Sequence, residues 1–85
     1  MEKLLMKVIV SPFSQEVEID LHEVKYYQRD GRHTCFTVDN GKKITALKEF
    51  EFYLKLTKEY SFFCPVNPDT VVNIHHVVGY VNPNP

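Results

Sequence analysis

Apolar and polar positions change rhythm several times along this chain, and each rhythm predicts an element. Leu4 to Val10 is rich in strand formers, ending on β-branched Val8, Ile9 and Val10, and predicts a strand. Ser11-Pro12-Phe13-Ser14 interrupts it, because Pro12 has no N–H to give a central ladder. Val17-Glu18-Ile19-Asp20-Leu21 alternates apolar and acidic residues, the period-two signature of a half-buried strand. Val24 to Arg29 is strand-like again. It follows too closely for a simple hairpin with long arms, so a short turn or 3₁₀ step is expected over Leu21 to Val24. Asp30-Gly31 is a turn signal, and His33 to Val38 predicts the next strand. Asn40-Gly41 predicts a hairpin of type I′, whose two central residues both need positive φ. Lys43-Ile44-Thr45 then returns antiparallel.

From Ala46 to Lys58 the apolar spacing lengthens to three and four, with Leu47, Phe50, Tyr53 and Leu54 on one face. This predicts the single main helix, at about 46–58. Thr45 is placed to cap it, and Glu49 suits the positive end of its dipole. Phe52 and Leu56 widen the apolar face, so more than one neighbour is expected to cover it.

Pro65 and Pro68 exclude a helix interior in the segment that follows, and Asn67-Pro68-Asp69 is turn chemistry. Thr70 to Ile74 predicts a short strand. His75-His76 reads as a corner or a continuation, Val77 to Val81 as a last strand, and 82–85 as a flexible tail. The expected architecture is a β-rich α+β fold, with a mostly antiparallel sheet and one main helix. It forms one domain over 1–81.

With 85 residues the chain buries only a modest core, which makes dimerisation or a protein partner a reasonable expectation. The formal net charge of −1 gives no global attraction to nucleic acid. Every Lys and Arg lies at or before Lys58, so a DNA footprint must be local. The candidates are Arg29, Arg32, His33, Lys42 and Lys43, read as clustering around two turns at one hairpin end. Arg and His can reach base edges, and the lysines suit phosphates. The competing reading of these residues is an ordinary solvated hairpin end.

Cys35 and Cys64 fit no metal spacing and are expected to be reduced, buried thiols of a cytoplasmic protein. His22, His33, His75 and His76 form no ligand motif. With no Gly-rich phosphate loop and no paired nucleophile and base, nothing points to an enzyme or a cofactor. No run reaches the roughly 20 apolar residues of a membrane helix.

From Val17 to about Val78 the order of residues resembles a LytTR DNA-binding domain. Ile19-Asp20-Leu21-His22-Glu23-Val24-Lys25-Tyr26-Tyr27 matches that family's aliphatic–acidic stretch running into a Tyr-rich strand. Phe63 and Val71-Val72-Asn73-Ile74 match the ends of its most characteristic segment. The resemblance implies a bacterial, DNA-binding transcription regulator, with His33 at a loop position that reads a base edge in some members and Arg32 beside it. The match departs at Pro65, where the family carries Arg, and at Asn67, where it carries His. Pro68 and Asp69 replace a polar pair whose first member often approaches DNA. The family also continues into a further hairpin beyond the point where this sequence stops.

Two expectations follow. One is a small, stand-alone LytTR-like regulator making weak or partner-assisted contact with double-stranded DNA. The other is a protein-interaction or homodimerisation module without DNA binding, using an uncovered sheet edge or the Phe62-Phe63 region.

Overall fold

A computed structural model describes residues 3–10 and 14–77. It contains β1 (Leu5–Val10), β2 (Gln15–Asp20), a 3₁₀ turn (Leu21–Glu23), β3 (Val24–Asp30), β4 (His33–Val38) and β5 (Lys43–Ala46). Then come α1 (Phe50–Thr57), β6 (Phe63–Asn67), β7 (Thr70–Asn73) and the helical turn α2 (Ile74–Val77). The seven strands form one antiparallel sheet in the order β2-β1-β5-β4-β3-β7-β6. The β-rich α+β architecture with one main helix therefore holds.

Strand pleating divides the sheet into two faces. Tyr27 of β3 lies opposite Phe36 of β4 and Val71 of β7, and Phe36 lies opposite Ile44 of β5. These residues and Phe63 point toward α1, which contributes Phe50 and Tyr53. Tyr27 is the hub: its ring centroid lies 5.1 Å from Phe36, 5.6 Å from Phe50 and 5.9 Å from Phe63. Its hydroxyl sits 2.6 Å from Thr57 Oγ1 and 3.2 Å from the Tyr53 carbonyl, which also accepts from Thr57 at 2.9 Å. Burial pushes the Tyr27 phenol up to about 12, and the Thr57 hydroxyl partly opposes this.

The alternation in β2 works as expected, with Ile19 and Leu21 buried and Glu16 and Glu18 exposed. β1 and β2 form a ribbon paired from Leu5↔Asp20 to Val10↔Gln15. Among the described residues the ribbon meets the rest of the sheet at one bridge, Val10↔Ala46, supported by Leu47 N–H donating to Ile9 O at 2.8 Å. The 3₁₀ step lies where expected, capped by the Asp20 carboxylate, which accepts from His22 N–H at 3.0 Å.

Several expectations are corrected. α1 begins at Phe50 rather than 46, because Ala46 is still paired with Thr34 in the β4–β5 ladder. Its N-cap is Glu49, without a side-chain cap bond, and Thr45 belongs to β5. The β4–β5 turn is not type I′. Only Gly41 has positive φ, at 86°, while Gly41 N–H donates to Val38 O and Val38 N–H to Lys42 O. This is a type I turn closed by a Gly bulge.

Pro68 and Asp69 form the expected turn, but the residues before it, for which no strand was expected, form β6, an edge strand among the described residues. Pro65 fits there because an edge position does not need its N–H. Cys64 is exposed rather than buried, since it points away from α1 while its neighbour Phe63 points inward. Cys35 is half-buried, its thiol pushed up chiefly by burial, and both cysteines are free. His75 and His76 lie in α2, not on a strand. The rest of the last strand expected over Val77 to Val81, the tail at 82–85 and most of the break at Ser11 to Ser14 fall outside the described residues.

Candidate nucleic-acid interface

The β3–β4 turn is built by Gly31, whose φ of 62° sits at the first central position between Asp30 and His33, as a type II′ turn requires. It presents Arg32 to solvent, with His33 half-buried beside it. Lys42 and Lys43 are exposed on the β4–β5 turn and the start of β5. β4 separates the two turns. Arg32 and His33 are at its beginning and Lys42 and Lys43 beyond its end, so they do not form one cluster. A strand of this length keeps them on the order of 20 Å apart. Lys43 lies opposite Thr37, on the face turned away from α1.

Arg29, the first of the five candidates in the sequence, is the least free of them. Its Nε donates to Asp69 Oδ1 at 2.6 Å and one Nη bonds Glu51 Oε2 at 2.8 Å. The guanidinium lies 4.8 Å from the Phe50 ring centroid. The Glu51 and Asp69 hydrogen bonds push its already high pKa further up, and Arg29 in turn holds the Glu51 carboxyl below its usual range. The Asp69 carboxylate is therefore answered within the molecule. The shallow depression below Arg32 is lined by Arg29, Gly31, Glu49 and Glu51, so both signs of charge meet there.

The segment that carries the family resemblance is a structural keystone. Phe63 and Val71 are buried, and Asn73 is fully so. Asn73 Nδ2 donates to Val24 O at 2.9 Å, next to the register shift in β3. Its Oδ1 accepts from His75 N–H at 2.9 Å, opening α2. One amide thus ties β7 to β3 and starts the following turn. Phe62 lies between the rings of His22 and His75, with centroids 5.5 and 5.2 Å away. His76 Nε2 lies 2.8 Å from His22 O, and its Nδ1 3.5 Å from Asp39 Oδ1. Phe62 is accordingly half-buried in this stack, and Phe63 is buried against Tyr27.

The sequence reading missed the Arg29–Glu51–Asp69 cluster and the His22–Phe62–His75 stack. Neither left a local signal, because each joins elements that are adjacent only after the sheet forms. Among the described residues no His, Cys, Asp or Glu group is arranged to hold a metal ion, and no helix is long and apolar enough to cross a membrane. No protein-family model, curated protein or solved structure matches this chain.

Proposed function

We propose that the chain is a LytTR-like transcription-regulatory protein of the bacterial cytoplasm, making weak or partner-assisted contact with double-stranded DNA. The observation that carries this reading is the keystone role of the resemblance residues. Tyr27, Phe63, Val71 and Asn73 are the buried side chains that join β3, β6 and β7. Within the frame, Arg32 is the best-placed candidate for DNA. It is exposed at a hairpin tip, and among the described residues it forms no ion pair. Lys42 and Lys43 would form a separate, second contact.

The test is binding to random duplex DNA across salt concentrations. A footprint of one or two phosphates gives a log–log slope of about −1 to −2. Arg32→Ala is expected to weaken binding several-fold, and Arg29→Ala to leave it unchanged. Absence of binding at low salt removes the DNA reading.

A specific observation favours the second reading, an interaction or homodimerisation module. The five candidate residues make no continuous basic patch, because Arg29 is neutralised and the two turns lie at opposite ends of β4. The pairing edge for such a module is β2. Leu21 N–H donates to Leu4 O, and by strand alternation the backbone groups of Glu16 and Glu18 face outward. Sedimentation distinguishes the readings: a monomer that binds no DNA and no partner defeats both.

A further inference from the structure

We infer that the groove between α1 and β6 is a docking site for an acidic amphipathic helix of another protein. The groove has a volume of about 500 Å³ and a floor made by Leu54, Phe63, Pro65 and Val71. That floor calls for apolar side chains. Its rim carries Lys55 and Lys58, one helical turn apart and both exposed. Neither forms a salt bridge among the described residues. The one carboxylate on the rim, Glu51, is already held by Arg29 at 2.8 Å. What faces an incoming ligand is therefore an apolar trough flanked by two lysines that form no salt bridge among the described residues, which selects acidic residues flanking apolar ones.

The backbone beside the groove decides between a helix and a strand. Ile74 N–H donates to Phe62 O, and by antiparallel alternation the backbone groups of Phe63 and Pro65 point to the free side of β6. Phe63 N–H is bonded to Tyr60 O at 3.1 Å, and Pro65 has no N–H. An added strand would find no donors at these two positions. A ligand binding through side chains alone, as a helix in a groove does, loses nothing by this. A second copy is a poor occupant, because α1 against α1 would bring Lys55 and Lys58 of both copies together. The inference does not depend on DNA contact, and its test contains no DNA.

The probe is a fluorescent amphipathic peptide of about 18 residues, roughly five helical turns, with Leu on one face and Glu on the other. Against the full chain, saturable binding that weakens with salt is expected. The double variant Lys55→Glu/Lys58→Glu should lose at least about 10-fold in affinity. Its thermal transition should stay close to that of the unchanged protein, since both lysines are exposed. Amide shifts on peptide addition should centre on Leu54, Phe63 and Val71. No saturable binding overturns the inference. So does equal binding of a peptide with Lys in place of Glu, or a double variant with unchanged affinity. Displacement of the peptide by dodecanoate at comparable affinity would reassign the groove to fatty acids and overturn it as well.

Discussion

The β1–β2 ribbon and the β6–β7 hairpin are both antiparallel pairs at the flanks of one sheet, yet they are fastened by different chemistry. The ribbon contributes Met6, Val8 and Ile19 to the core and, among the described residues, joins the body through a single bridge. Its attachment is mostly apolar, and its register rests on the alternation of buried and exposed positions. The β6–β7 hairpin is keyed. Asn73 bonds the β3 backbone, Asp69 takes both the Arg29 side chain and, through its carbonyl at 2.8 Å, the Arg29 N–H. The outer edges differ in the same sense. Among the described residues β2 has no partner on its outer side, while β6 is blunted by Pro65 and by the Phe63–Tyr60 bond. The comparison teaches that specific side chains are concentrated where one geometry must be enforced, and simple alternation serves elsewhere.

The largest effect is expected at the hub of the aromatic core, which the keyed side of the sheet shares with α1. Tyr27 is fully buried against rings from β4, α1 and β6. Tyr27→Ala should cost about 3–5 kcal/mol, read by urea denaturation, and leave a chain of this size close to unfolded. Tyr27→Phe keeps the ring and loses only the hydroxyl contacts, at about 1 kcal/mol. The phenol adds a pH signature. Its folded pKa of about 12 lies above the ordinary value of 10.0, so the folded state holds the proton more tightly. The contribution is complete below pH 10 and is lost as pH rises toward 12, at about 1.4 kcal/mol per unit. Tyr53 is shifted upward too, by burial, so Tyr27→Phe should reduce this alkaline loss rather than abolish it. An unchanged alkaline limb in Tyr27→Phe would show that the phenol is not the group that titrates.

A smaller effect compares the two polar ties directly. Asn73→Ala leaves the Val24 carbonyl and the His75 N–H without their partner at a fully buried position, and should cost about 2 kcal/mol. Asp20→Ala removes a cap from the 3₁₀ turn and a 3.3 Å bond from Leu4 N–H at a half-buried position. It should cost about 1 kcal/mol. If Asp20→Ala proves the more damaging, the ribbon is the better-anchored region and the contrast drawn above is reversed.

These ties explain how much could be read from the chain. Strands were legible from Leu4 to Thr45 through β-branched and aromatic residues set between turn signals, and through period two in β2, where one face is buried. β6 was not legible, since its exposed Cys64, Val66 and Asn67 give no alternation and Pro65 argues against a strand. The helix start was misplaced because Ala46 and Leu47 fit a helical face as well as they fit the end of β5. Only the Ala46↔Thr34 pairing decides between them. For the candidate site, residue types were legible and placement was not. Arg32 and Lys43 are eleven positions apart in sequence, and whether one or two strands lie between them decides which end of the sheet each occupies. Arg29 was misread for a related reason. Its carboxylate partners, Glu51 and Asp69, lie on elements brought beside it only by the fold.

Arg29 gives the mildest prediction and the finest test of the contrast. Its ion pairs with Glu51 and Asp69 are exposed on the carboxylate side, so solvent screens them and little net stability is expected from them. Arg29→Ala should destabilise less than any substitution above, and the difference should shrink as salt rises. Acid should act in the same direction. Glu51 is held below the usual carboxylate range by Arg29, so the pair contributes above that range and its contribution is lost as pH falls through the lowered value. Thermal melts of the unchanged protein and Arg29→Ala should therefore converge at low pH and at high salt. Part of what remains at high salt is stacking on Phe50, which a guanidinium retains when its charge is screened. A loss as large as that of Asn73→Ala, persisting at high salt, would mean that Arg29 fastens β3 to α1 and to the β6–β7 turn as firmly as the buried amide fastens β7 to β3.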